Sequence, residues 1–207
     1  MLTYRNANNK DLKEINKIFT EAFLDYEMFT AFEPDRKRRR VLVRHMQTLG
    51  IMTDIRRRQL FVAEDEGSIV AVTSIHFPDT KQAGVFDYIK EGALSALIRC
   101  GVRKTLGWFE MYSACVKPCG TVEKPVFYVE DLAVRPGCQG KGYGSRVIQE
   151  LLIPVVRKKG GGTLTLITNN EKNAAFYEKN GFICFSKGRY KKGRIDIGNW
   201  CFKMRVM

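Results

Sequence analysis

The sequence predicts one mixed α/β domain, and three observations carry that expectation. The chain has 207 residues, enough for a single domain with a sizeable core. Its composition, 44% hydrophobic and 28% charged, sits near the globular average and argues against disordered, collagenous and membrane-spanning classes. Apolar residues alternate between strand and helix spacing along the whole length, with no internal repeat, low-complexity tract or long Pro/Gly/Ser linker. No apolar run approaches the ~18 residues of a membrane helix, and Met1 to Asn9 lacks the pattern of a secretory signal. The six cysteines have scattered spacings and no CxxC pair, and only His45 and His76 accompany them. No metal site is expected, and reduced thiols point to the cytoplasm.

The elements follow in order. Leu2 to Arg5 reads as a short strand. Asn9 or Asp11 caps a helix whose apolar stripe is Leu12, Ile15, Ile18, Phe19, Ala22 and Phe23. After Pro34 a second helix runs from about Asp35 to Leu49, with Val41, Leu42, His45 and Leu49 on one face and Arg36 to Arg40 on another. Leu60 to Ala63 and Ile69 to Phe77, joined by Asp65-Glu66-Gly67-Ser68, form a hairpin. The segment 78–125 is long for a connection and reads as a helical insertion, with helix around Glu91 to Ile98 and Gly107 to Val116. Val126 to Val134 is a strand. Gly144 to Lys159 is a helix that Pro154 should kink. Thr163 to Thr168 is a strand, Asn170 to Asn180 a helix ended by Gly181, and Phe182 to Phe185 and Ile195 to Met204 close a β-rich tail.

The stretch Leu132 to Ser145, LAVRPGCQGKGYGS, carries the most chemistry. A strand ends, the chain turns, and Gln139-Gly140-Lys141-Gly142-Tyr143-Gly144 opens a helix. Glycines at 140, 142 and 144 let backbone N–H groups approach a ligand, and the helix N-terminus favours an anion. Lys141 adds charge, so the loop suits a phosphate, although glycine-rich turns also occur without ligands. The P-loop spacing is absent. Dinucleotide binding is disfavoured too, because Ser145 and Leu164 stand where the fingerprint needs other residues.

Gln139-x-Lys141-Gly142-x-Gly144 after Leu-Ala-Val, followed by Asn173-Ala-Ala-Phe176-Tyr177 and Gly181-Phe182, resembles the GCN5-related N-acetyltransferases, the GNAT family. The likeness covers roughly Phe127 to Phe185. More loosely, the basic helix and the 78–125 segment look like the puromycin-acetyltransferase-like branch. The resemblance implies a single domain over 1–207 with a central mixed, mostly antiparallel sheet, splayed between its fourth and fifth strands and flanked by helices. It implies acetyl-CoA as cofactor and direct transfer of acetyl to an amine in a ternary complex.

On that likeness, the pyrophosphate would lie on Gln139, Gly140, Lys141, Gly142, Tyr143 and Gly144, with Ser145 in the first helical turn. The pantetheine arm would pair with the strand ending Leu132-Ala133-Val134. Asn170 and Asn173 would hold the arm, Phe176 would pack near it, and Tyr177 would be the general acid at the leaving thiolate. Backbone N–H groups around Val134 would face the thioester oxygen. The plain alternatives are a helix-start residue for Asn173, core packing for Phe176, and a core aromatic with a wet hydroxyl for Tyr177. Glu130 is the candidate general base, because an ammonium must lose a proton before it attacks. Asp131 should face away from it by strand alternation, and Tyr128 should share its face. An ordinary exposed carboxylate, with water as base, is the alternative.

Phe29, Phe32, Trp108 and Tyr112 are candidates to line an acceptor pocket for an apolar or aromatic amine, with core packing as the alternative. The acceptor, the use of other acyl groups and the choice between monomer and homodimer stay open. Thirty-five Lys+Arg against 22 Asp+Glu give a formal charge of +13. Arg36 to Arg40, Arg56 to Arg58, Arg157 to Lys159 and Lys187 to Arg194 hold much of it and read as solvated faces. A nucleic-acid- or ribosome-associated protein on a degenerate acetyltransferase fold is the competing function, although no nucleic-acid motif supports it. Acetylation of protein N-termini or lysines is a third. His76, just before Pro78, reads as a surface histidine, with a reach into the acceptor site as the alternative.

Overall fold

The computed structural model describes residues 1–80 and 93–207, with residues 93–96 described by backbone alone. Seven strands form one sheet in the order β1-β2-β3-β4-β5-β7-β6. They are β1 (Thr3–Asn6), β2 (Leu60–Asp65), β3 (Ser68–His76), β4 (Val126–Val134), β5 (Gly162–Thr168), β6 (Ile183–Lys192) and β7 (Ile195–Val206). Every pairing is antiparallel except that of β4 with β5. That parallel contact joins only Val126, Phe127 and Tyr128 to Thr163, Leu164 and Thr165. From Val129 onward the two strands diverge, so the sheet is splayed where the resemblance implied.

The helices are α1 (Leu12–Phe23), α2 (Glu27–Phe32), α3 (Arg36–Arg56), α4 (Ala93–Cys100), α5 (Val102–Val116), α6 (Tyr143–Arg146), α7 (Ile153–Lys158) and α8 (Glu171–Lys179). Strand alternation divides the core between the two faces of the sheet. On one face Ile15, Ile18 and Phe19 of α1 pack with Val62, Val72 and Ala133. On the other, Val147, Ile148 and Leu151 pack with Ala63, Ala71, Ile75, Phe127 and Leu164. A third cluster joins α2, α3 and α5 through Phe29, Val43, Met46, Trp108 and Met111.

Several expectations are corrected. The second helix does not end at Leu49 but continues to Arg56, and the short α2 was not foreseen. Glu91 lies outside the described residues, and the helix near it ends at Cys100 rather than Ile98. The next helix begins at Val102 rather than Gly107. Pro154 lies beyond a π-helical segment, Val147–Leu152, that connects α6 to α7. The wider turn leaves room for a residue with no N–H to donate. The basic run Lys187 to Arg194 belongs to the last hairpin of the sheet. It lies in β6 and in the tight turn at Gly193, whose φ is 58°.

Arg39 overturns the reading of Arg36 to Arg40 as a solvated face. It is 7% exposed. Its guanidinium donates to Leu24 O at 2.6 Å, Glu33 O at 3.0 Å, Pro34 O at 2.8 Å and Asp25 Oδ1 at 2.8 Å. One fixed fork of donors therefore ties the end of α1 and both sides of α2 to α3.

Candidate functional site

The site forms where β4 parts from β5. Leu132, Ala133 and Val134 pair with Thr73, Val72 and Ala71 of β3 on one side only. Among the described residues no strand pairs with their other edge, beyond the last contact with β5, and such an edge suits an extended ligand. Ala133 is buried under α1, while Leu132 and Val134 lie half-buried on the opposite face.

The loop after β4 is built for an anion. Gly137, Gly140 and Gly142 have φ of 85°, 79° and 81°, a left-handed backbone that side chains resist. Nothing lies within 4 Å of a Cβ built on Gly140 or Gly142. Gly142 is the N-cap of α6 and supplies no side-chain cap, so the first N–H groups of the helix face outward beside exposed Lys141. Gln139 is also exposed, and its amide lies 3.5 Å from Val134 O. Tyr143 anchors the loop by donating to Asp65 Oδ2 at 2.5 Å. Ser145, in the first turn, is half-buried. Gly144 serves a different purpose from its neighbours. A Cβ there would come within 3.1 Å of Phe176 Cζ and 3.6 Å of Val134 Cγ2. Its bareness therefore seats the α8 aromatic against the loop.

Helix α8 begins at the cap Asn170, whose Oδ1 accepts the Asn173 N–H at 3.1 Å and whose amide donates to Glu27 of α2. The Asn170 side chain thus shapes the helix start and ties it to α2. Asn173 is exposed, Phe176 half-buried and Tyr177 9% exposed. The Tyr177 ring sits 5.2 Å from Phe176, 5.7 Å from Phe182 and 5.8 Å from Phe202. Burial, with the charges of Tyr26 and Asp131 adding to it, raises its pKa, so the phenol keeps its proton.

Glu130 stands on a β-bulge. Asp131 pairs with Ser74 and Val129 with Ile75, so Glu130 has no partner of its own across the strands. The bulge breaks the alternation on which the sequence reading relied. Glu130 and Asp131 do not point apart; both interact with His76 and Asp54. Tyr112 of α5 donates to Glu130 Oε2 and lies 3.2 Å from Tyr128 Oη. His76 Nε2 is 3.2 Å from Asp54 Oδ1, and its Nδ1 is 3.9 Å from Glu130 Oε2. His76 is therefore no free surface residue. Burial raises the Glu130 pKa and the nearby Asp54 charge adds to it, against the pull of His76 and the Tyr112 hydrogen bond. Burial holds Asp131 well above its ordinary value, reinforced by the charges of Glu130 and Asp54.

Of the acceptor candidates, Phe29 is only 2% exposed and stacks on Trp108 at 5.5 Å. Trp108 stacks in turn on Tyr112 at 5.4 Å with an interplanar angle of 4°. Phe29 and Trp108 are pressed together in the cluster that joins α2, α3 and α5. Phe32 lies against Gly107 of α5 and lines a cavity with Leu106, Glu110, Tyr190 and Ile195. Tyr112 reaches Glu130 through its hydroxyl. Sequence reasoning missed Asp54, which lies beyond the expected end of its helix, and undervalued His76. The signal for His76 is its pairing with Tyr128 across the β3–β4 ladder, visible once the two strands are placed in register.

An open strand edge leading to an anion-binding helix start, with a buried carboxylate and a protonated phenol nearby, suits an acyl-CoA-dependent transferase. The residues fit the cofactor at the two parts they expose, the β4 edge and the uncapped loop. The family profile described as Acetyltransferase (GNAT) family matches residues 13–182. The chain belongs to that family and is an acetyl-CoA-dependent N-acetyltransferase. Mosquito arylalkylamine N-acetyltransferase like 5b is similar to it at 18% identity and a TM-score of 0.64, over 100% of each chain. The Drosophila melanogaster polyamine N-acetyltransferase matches at 15% and 0.60, again over 100% of both chains. The Salmonella typhimurium yncA structure, which holds its cofactor acetyl-CoA, matches at 17% and 0.55, over 100% of this chain and 95% of that one. No curated protein matches the chain by sequence.

Proposed function

We propose that the protein acetylates a primary amine of a small molecule by direct transfer in a ternary complex. The observation that carries this reading is the bulge. It turns Glu130 and Asp131 together toward Asp54 and His76, beside the open edge of β4. The acceptor side thereby presents the Glu130 carboxylate, backed by Asp54 through His76, in a chain whose formal charge is +13. A small cationic amine is drawn to such a spot while the rest of the surface repels it. The structural neighbours named for arylalkylamine and polyamine acetylation support the same class.

The bound cofactor supplies the acetyl thioester. The N–H groups of 140–144 and Lys141 would hold its phosphate charge, and the β4 edge at Leu132 to Val134 would hold its extended arm. Asn173 and Phe176 would contribute from α8, whose start Asn170 shapes. Glu130 Oε2 would take the proton of the incoming ammonium, and Tyr177 Oη would supply one to the departing thiolate. Tyr112 keeps Glu130 in place. We assign the whole chain to one catalytic domain in which 78–125 is an insertion that shapes the acceptor side. The six free cysteines suit a reducing cytoplasm. Thiol release from acetyl-CoA, followed across a panel of arylalkylamines, polyamines, amino acids and basic peptides, tests the proposal. Turnover with small cationic amines is expected; turnover with peptides alone would sink it.

A further inference from the structure

Asp54, His76 and Glu130 lie in a row, and only one protonation state of the imidazole suits both ends. His76 is the last residue of β3 and faces Tyr128 across the ladder, their rings 6.2 Å apart. Its Nε2 meets Asp54 Oδ1 at 3.2 Å, and its Nδ1 faces Glu130 Oε2 at 3.9 Å. A neutral imidazole has one N–H, so its other nitrogen would turn a lone pair toward a carboxylate; an imidazolium donates at both. The Asp54 side chain is 5% exposed, against 39% for His76. Asp54 is therefore the fixed end, held by the last turns of α3.

We propose that Asp54 and His76 are a positioning pair that keeps Glu130 ionised and aimed at the acceptor amine, an inference that rests on Glu130 being the base. Among the described residues, the titratable groups facing this row are Asp54 from α3, Tyr112 from α5, and Tyr128 and Asp131 from β4. Burial favours a protonated Asp131. Two ionised carboxylates then share one cation. Without the imidazolium only the Tyr112 hydrogen bond opposes the burial of Glu130 and the Asp54 charge, and the pKa of the base would rise further. Burial opposes the His76 charge, but the Asp54 hydrogen bond and the charges of Glu130, Asp54 and Asp131 outweigh it and push its pKa up to about 9. The cation thus persists wherever the base is needed.

The test compares the acid limb of kcat/KM for wild type, His76→Gln and His76→Lys, with acetyl-CoA affinity by calorimetry as the check of folding. The limb should move up by at least about one pH unit in H76Q, because an opposite charge at this range is lost, and return in H76K. A purely structural His76 would lower turnover without moving the limb, which overturns the inference. Turnover unchanged in Glu130→Gln would remove the base assignment and this inference with it. Turnover lost in E130Q beside an unmoved limb in H76Q would remove the inference alone. Proton NMR supplies a measurement that needs no variant, since the chain has only two histidines. The His76 ring of the intact protein should titrate near 9 and lower in E130Q and Asp54→Asn; titration near the ordinary histidine value in wild type would overturn the pair.

Discussion

Tyr177→Phe separates the two roles open to this side chain. The ring is core: it is 9% exposed and makes edge or tilted contacts with Phe176, Phe182 and Phe202 at 5.2, 5.7 and 5.8 Å. Phenylalanine preserves all three. The hydroxyl makes no hydrogen bond among the described residues, so its removal strands no partner and should change stability by no more than about 0.5 kcal/mol. If the phenol supplies the proton to the departing thiol, its loss removes general-acid catalysis, a factor of about 10²–10⁴ in kcat. Because burial raises its pKa, the group is protonated throughout the working range and should set no alkaline limb near neutrality. The assay is thiol release at saturating amine, beside a thermal melt and an acetyl-CoA titration. The expected result is a kcat lower by at least about a hundredfold with melting temperature and cofactor affinity unchanged. A kcat within about threefold of wild type would refute the acid assignment and leave Tyr177 as a packing residue.

Three further outcomes follow from the geometry. Gly144→Val should push Phe176 off the loop, since even a Cβ would come within 3.1 Å of its ring; a loss of about 1–3 kcal/mol and a raised KM for acetyl-CoA, read by denaturation and kinetics, check it. Arg39→Met should leave the carbonyls of Leu24, Glu33 and Pro34 without their donor, costing about 1–3 kcal/mol for each one left unsatisfied and lowering the melt by about 2–4 °C per kcal/mol. His76 gives a pH dependence of stability with a definite sign. Its pKa is raised from 6.5 to about 9 on folding, so its contribution is fully present below about pH 6.5 and is lost as pH rises through 9. Urea midpoints at pH 6 and pH 9.5 should show that decline in wild type and not in H76Q.

The phosphate loop was legible from residues alone because its chemistry is local. Glycines spaced by two before a helix permit a left-handed backbone and leave N–H groups bare, and Gly140 and Gly142 adopt it here. Gly144 looked alike but was not. Its neighbour Phe176 is 32 residues on, so no local rule reveals that the position is reserved for a ring. Glu130 was found as a candidate base, yet its surroundings were drawn wrongly, because period-two alternation assumes a regular ladder and the bulge at Glu130 breaks it. Asp54 was invisible for a related reason. Its helix was ended at Leu49, and what carries it to Arg56 is packing: Ile51 is 1% exposed and sits with Ile15 and Phe19 of α1.

The basic runs show the same division. Their total, +13, is fixed by composition, and so is the attraction to polyanions. Which arginine is solvent and which is architecture is not, and only packing made Arg39 a buried tether. Sequence by itself determined what depends on neighbours along the chain: the strand and helix spacing, the glycine-rich loop that opens a helix, and the Asn173-Phe176-Tyr177 helix. The tertiary structure alone decided what depends on neighbours across it, namely the splay of β4 from β5, the bulge beneath Glu130, and the meeting of Asp54, His76 and Tyr112 around one carboxylate. A side chain's acidity is set by the charges and burial within a few ångströms of it, and residues 54, 76, 112 and 130 come that close only through the fold.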